Sequence, residues 1–430
     1  MTFFFVLAAP EPNLLSTFVE YDRKKMRRKR IYIAASYLMC HLFLLTTASS
    51  QWCAYEWLAN KTSEVEQNKL EVKLQSFDNQ LIAEERKIYT IPVVVHIVFE
   101  NERENISDAQ ILSQIDVLNT DFRKLNFNVQ AAPIEFRSLA ADVGIEFCLA
   151  NIDPQGKPTK GITRTPTDIL NIGSNFGAGN RRRIYYSSLG GIEAWSADKY
   201  LNIWVCSLGD GTLGYSVGTL AAIEEDGVVV DYQAFGTTGV AKKPYNLGRT
   251  TTHEVGHYFN LKHTWGDRTN CTGDDLVADT PPQTAPYFGC PSYPQSSCGV
   301  SNMFMNYMDY SDDACRSLFS EGQKKRMLGT LLLMRNSLLT SDKCHKCNNN
   351  SKICAYPNPA NNFLYFNIAE QQIFDIEFFD VTGKKVENYR LAPPETGRNI
   401  SVANIPSGTY IIKIRTSTGE NFIEKILLLR

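Results

Sequence analysis

The sequence has no excess of charge of either sign. Lysine and arginine number 44 against 46 aspartates and glutamates, a net charge of -2 over 430 residues. No global basic field exists to attract nucleic acid, so that class of partner is excluded. Long apolar runs are also scarce. The one from Ile31 to Leu45 holds 15 residues, short of the ~20 that span a bilayer, which favours a cleaved export signal over the competing reading of a membrane anchor. Arg27, Arg28, Lys29 and Arg30 are its basic flank, and Ala48-Ser49-Ser50 supplies small residues for cleavage after Ser50. Met26 is read as the start of the precursor. No internal repeat is visible. Histidine occurs only six times, so any clustering of histidines carries weight.

Cysteine, by contrast, is plentiful. Eleven occur, seven of them between Cys271 and Cys354, which suggests an oxidising destination outside the cytosol. The length sets an expectation of two to three domains. Residues 51–87 are polar and charged, with a broken amphipathic helical pattern, and read as a pro-segment. A folded domain is expected over 88–342. It opens with the β-branched run from Ile91, the pattern of a strand buried on both faces. Ser107 and Gln110 predict a capping box. Ile111, Leu112, Ile115, Leu118 and Phe122 then recur at helical spacing. Strands are predicted over 144–150, 200–208 and 227–235, so the class is mixed α and β. A last helical pattern ends in an asparagine-rich linker, 343–353. Short alternating strands then predict a small all-β sandwich over 354–430.

Residues 253–257 read His-Glu-Val-Gly-His. On a helix, positions i and i+4 share a face, so His253 and His257 can reach one metal ion, with Glu254 beside the open coordination position. His263 is the expected third ligand. It cannot share that helical face, so the helix must break first, and Asn260 is suited to the left-handed turn this needs. A downstream glutamate ligand is excluded, because none occurs between Glu254 and Glu321. Asp267, Asp274 and Asp275 are the rival third ligands. Three protein nitrogens leave a fourth position for water, as in catalytic zinc. Such a site hydrolyses amides, with Glu254 as general base.

The segments HEVGHYFNLKH, GDDLVADTPPQ and NYMDYSDDACRSLFSEGQKKRM occur in the order found in the metzincin clan, and the chain from about 88 to 340 resembles its pappalysin branch, ulilysin-type enzymes included. The resemblance implies an α+β catalytic domain with a twisted mixed sheet, a backing helix, a zinc-binding helix and an irregular C-terminal subdomain. It implies that Met308 forms a hydrophobic floor under the metal and that Tyr310 approaches the metal or steadies the tetrahedral intermediate. It also implies disulfides Cys271 to Cys298 and Cys290 to Cys315, where sequence alone allows three pairings. Asp275 and Thr280 match calcium-binding positions of relatives, against the plain reading of solvated loop groups. One departure is Asn260, where the clan usually carries glycine.

Cys53, just after the signal, is a candidate latency switch whose thiolate would cap the metal; a stray cysteine is the other reading. Cys148 and Cys206 read as buried thiols in apolar strands. The motifs YPNPANN, VTGKKV and SGTYIIKI make residues 354–430 similar to the immunoglobulin-like sorting domain of type IX secretion. The expected whole is a secreted or surface-attached zinc endopeptidase acting on polypeptides. The strand at Leu201–Val205 is expected to pair with extended substrate. Arg86-Lys87 is the expected maturation site. The competing readings are a surface adhesin with a structural metal and a zinc hydrolase with an aspartate third ligand.

Overall fold

The computed structural model describes Cys53, Glu64–Phe77 and, with short interruptions, residues 87–344 and 355–428. The basic stretch at 27–30, the apolar run 31–45, Met26, the cleavage position at Ser50, Arg86 and the linker 345–353 lie outside the described residues. Among the described residues no helix is long and apolar enough to cross a membrane.

Strand β1 (Tyr89–Phe99) is the axis of a six-stranded sheet. Along one edge it pairs in parallel first with β2 (Ile145–Leu149) and then with β3 (Ile162–Pro166). Along the other it pairs with β4 (Leu201–Cys206). The order β2-β1-β4-β6-β5 continues through parallel β6 (Gly227–Asp231) and closes with short antiparallel β5 (Gly214–Ser216). Side chains alternate across the sheet. Ile91, Val93, Val95 and Ile97 enter the main core, while Val98, Trp204, Cys206 and Val229 pack on the opposite face against Ile184 and Tyr185. Both faces are covered, which is why β1, β4 and β6 read as near-continuous apolar runs, with His96 in β1 and Asn202 in β4 as buried polar interruptions.

Helix α2 (Asp108–Phe122) backs the sheet through Ile111, Ile115, Leu118 and Phe122. It follows α1 (Glu64–Phe77) of the N-terminal segment. Its predicted capping box is only half made. The Ser107 hydroxyl accepts from the Gln110 amide, but the Gln110 side chain donates to the carbonyls of Tyr232 and Phe235 instead of returning to the cap. Tertiary hydrogen bonds to a buried loop outcompete the local one. A complete capping box, Ser320 with Gln323, instead starts the last helix of the domain, α4 (Glu321–Met334), which follows α3 (Arg249–Tyr258). Helix α1 docks on α4 by the Arg326–Glu71 ion pair, with Leu70 and Leu74 buried.

Two expectations are corrected here. Leu201–Val205 is not an edge: β4 lies between β1 and β6 with all six residues buried, so its backbone groups are already paired. The edges of the sheet are β5 at one end and β2 with β3 at the other. Cys148 is not a free thiol either, since it is bonded to Cys344 and ties β2 to the chain beyond α4. Cys206 is buried outside any disulfide.

The C-terminal region forms two antiparallel sheets. One joins Asn399–Ser401, Phe363–Phe366 and Ala355–Tyr356; the other joins Lys385–Leu391, Phe374–Asp380, Gly408–Thr416 and Asn421–Leu428. Leu364, Phe366, Ile376, Phe378, Ile412, Ile414 and Ile426 form a core of their own, as in an immunoglobulin-like sandwich.

Candidate active site

Helix α3 has poor intrinsic propensity, with three consecutive threonines and a glycine in ten residues. Tertiary contacts hold it, and all ten residues are buried. Gly248 precedes it in the left-handed region, and the Asp313 carboxylate accepts from the amides of Leu247 and Arg249, capping the positive end of the helix. Thr252 donates to Asp121, which also accepts from the Tyr307 hydroxyl, so the helix is bolted to α2 and to the segment carrying Met308. The helix stops at Tyr258. Asn260 follows at φ 69°, and its carbonyl accepts from Arg326 Nε. The turn assigned to Asn260 from sequence is where the chain reverses toward His263.

That reversal brings three imidazoles together. The Nε2 atoms of His253, His257 and His263 lie 3.1–3.2 Å apart. Three nitrogens on a tetrahedral zinc at ~2.05 Å would be about 3.3 Å apart, so the triangle fits such an ion. Each Nδ1 has an oxygen partner: the Tyr307 carbonyl for His253 (2.7 Å), the Leu261 carbonyl for His257 (2.8 Å) and the Asp267 carboxylate for His263. These bonds put the proton on Nδ1 and leave the three Nε2 lone pairs facing one point. Burial, then the neighbouring imidazoles, hold His253 and His257 well below the usual histidine range, the neutral form a metal needs. Asp267 is thus spent orienting His263, and Asp274 and Asp275 are outside the cluster of candidate ligands, which comprises Cys53 and the three histidines. The strand histidine, His96, bonds to Thr163 and Asn202, and burial lowers it to about 4.

Glu254 is fully buried beside the triangle, and burial pushes its carboxyl up to about 8, opposed by a hydrogen bond from the Cys53 thiol and by the Arg316 charge. The Cys53 sulfur lies 3.4 Å from Glu254 Oε2. Its backbone bridges to Gly214 on edge strand β5, and its carbonyl accepts from the Tyr310 hydroxyl at 3.4 Å. Gly214 is required there, since a Cβ would meet Glu254 Cγ at 2.9 Å. Beneath the helix, Met308 is fully buried, and a Cβ on Gly256 would meet its sulfur at 2.5 Å. Trp265 stacks on His263 at 4.3 Å and meets Tyr310 edge-on at 4.7 Å. Gly214, Trp265, Asp267 as an orienting group, and Arg316 were not read from sequence. Only Trp265, two residues past a ligand, left a signal that spacing could have caught.

The loop after the helix is pinned by Cys271–Cys298 and Cys290–Cys315. Asp275 and Thr280 are both buried and bonded to each other at 2.7 Å, and the second Asp275 oxygen accepts from the Val277 amide. Burial raises Asp275 to about 7 despite those bonds. A carboxyl raised in the folded state contributes stability that is fully present below its unfolded value near 4 and lost as pH rises through about 7. Asp275→Asn should therefore flatten melting temperature against pH between 4 and 8, by on the order of 2–4 kcal/mol of stability across that window. Thermal scans of both proteins check it.

Comparison with known proteins decides the family. Residues 188–332 match the model described as pregnancy-associated plasma protein-A, and residues 354–428 match the secretion system C-terminal sorting domain. An extracellular metalloprotease of Pyricularia oryzae is 32% identical over 262 residues, 58% of this chain and 77% of its own length. The chain belongs to the pappalysin family of metalloproteases. Among solved structures, Tannerella forsythia mature mirolysin in complex with a cleaved peptide is 46% identical with a TM-score of 0.56, covering 59% of this chain and 96% of that one. A promirolysin variant from the same organism is 40% identical with a TM-score of 0.59, covering 67% and 97%. The pappalysin described here is thus a metzincin-type metalloendopeptidase acting on polypeptides. Its sorting domain directs it through type IX secretion to the cell surface or beyond.

Proposed function

We propose that this pappalysin is a zinc-dependent endopeptidase in which His253, His257 and His263 hold the ion and Glu254 is the general base. The observation that carries the reading is the convergence of three Nε2 atoms within 3.2 Å, each imidazole fixed by an Nδ1 bond, beside a buried carboxylate. Zinc there would polarise the scissile carbonyl and acidify a bound water. Glu254 takes the proton from that water and returns it to the leaving amine. Zinc bound beside it would oppose the upward shift that burial causes and favour the carboxylate form a base needs. Tyr310 stands over His253 and His263, where its hydroxyl can donate to the oxygen that gains charge during attack. Substrate lies along the open side of β5 and donates and accepts backbone hydrogen bonds there.

Cys53 is the latency switch of this reading. It occupies the edge of β5, contacts Glu254 and belongs to the candidate ligand cluster. The pro-segment would thus fill the substrate's place until it is cut, with Arg86-Lys87 as the cut. Export by an N-terminal signal ending at Ser50 completes the route. Calcium at Asp275 and Thr280 is not part of the proposal. The test is hydrolysis of a mixed peptide library by the processed protein. A chelator should abolish cleavage and added zinc should restore it; cleavage that survives chelation contradicts the reading.

A further inference from the structure

Each of the three clustered imidazoles is held through its Nδ1, but the holding groups differ in reach. His257 and His263 bond to partners four residues onward, the Leu261 carbonyl and the Asp267 carboxylate. Those bonds are set by the turn that carries the histidines. The partner of His253 is the Tyr307 carbonyl, 54 residues away. That bond keeps its length only while helix α3 and the segment carrying Tyr307 hold one relative position, which calls for a group tied to both.

Asp121, in the last turn of α2 and buried, is tied to both. Its Oδ2 accepts from the Thr252 hydroxyl at 2.9 Å and lies 3.7 Å from Arg249 Nε, both on α3. Its Oδ1 accepts from the Tyr307 hydroxyl at 2.6 Å. Thr252 is the residue before His253, and Tyr307 supplies the carbonyl that His253 Nδ1 meets at 2.7 Å. One carboxylate thus holds both ends of the bond that orients His253, without touching the imidazole. Hydrogen bonds to an ionised acceptor are short and strong, and burial leaves no water to replace them. The Tyr307 amide and ring are held elsewhere, by the Leu318 carbonyl and by Phe319, so its hydroxyl is free to serve Asp121. We infer that Asp121 is a positioning residue for the metal centre: by fixing Thr252 and Tyr307 together it keeps His253 Nε2 aimed at the ion. The inference rests on the reading of His253 as a zinc ligand. A carboxylate that merely fastened α2 to α3 would change melting temperature and leave metal affinity alone.

The test is the zinc affinity of the full chain after cleavage of its N-terminal segment, read by competition with a chromophoric chelator. The melting temperature of the metal-free form and the visible absorption of the cobalt-substituted form are recorded beside it. Asp121→Asn keeps the shape and removes the charge; Tyr307→Phe keeps the carbonyl and the ring and removes one hydroxyl. Each should weaken zinc binding by about tenfold or more and shift the ligand-field bands of bound cobalt. The double variant should bind zinc within about twofold of the weaker single variant, because both changes act through one bond. If Asp121→Asn does not fold, Tyr307→Phe decides alone. Zinc held through His253 in the wild type, and equally tightly in both variants, overturns the inference and leaves the ligand reading intact. Zinc bound just as tightly after His253→Ala overturns the ligand reading, and the inference with it.

Discussion

Glu254→Ala is expected to lower kcat/KM by about 10² to 10⁴-fold or more while the protein still folds and still binds one metal ion. The carboxylate is fully buried but contributes little to holding the site together: its side-chain hydrogen bond among the described residues is from the Cys53 thiol, which would leave with the proposed pro-segment. The three histidines are fixed without it, through Tyr307, Leu261 and Asp267. A structural metal site, as in an adhesin, has no use for this carboxylate, and the same substitution there would change nothing. Glu254→Gln keeps the size and removes the base, so it should show the same loss. Steady-state kinetics with metal analysis on both variants provide the check, and retained activity in either removes the mechanism.

The second large effect is expected in the unprocessed chain. Cys53→Ala should raise the activity of the uncleaved protein, or the rate at which it processes itself, by on the order of tenfold or more, as expected when a closed state holding most of the population is lost. Cys53 makes three contacts that exclude substrate: a backbone bridge to Gly214, a thiol contact to Glu254 and a carbonyl contact to Tyr310. Alanine keeps the backbone bridge but removes the sulfur that can reach the metal. Helix α1 stays docked through Glu71 and Arg326, so the change isolates the thiol from the rest of the segment. Time courses of the purified precursor read it directly. An unchanged lag would make Cys53 a bystander.

Much of the domain was legible because its buried strands are apolar on both faces. β1, β4 and β6 announce themselves as β-branched runs, and α2 shows its core stripe. β5 and β3 did not. β5 has three residues and a glycine, since an exposed edge is kept short. The apolar pattern of β4 suggests a substrate-pairing strand, yet such a pattern measures burial and so points away from an accessible edge. Helix α3 was found through histidine spacing alone, because threonines and glycine give it no propensity signal. The Cys148–Cys344 bond joins positions 196 apart, a pairing no local pattern encodes. Arg316 was silent for a related reason. It lies in a polar turn beside Cys315, and only the folding of that turn against α3 carries it to the pocket next to Glu254.

The most direct test of the central claim is anomalous diffraction at the zinc absorption edge from crystals of the processed protein. One strong peak within about 2.0–2.2 Å of the Nε2 atoms of His253, His257 and His263 is the predicted result. A peak held by Asp267 in place of His263, or no zinc peak in protein that cleaves peptides, would contradict it.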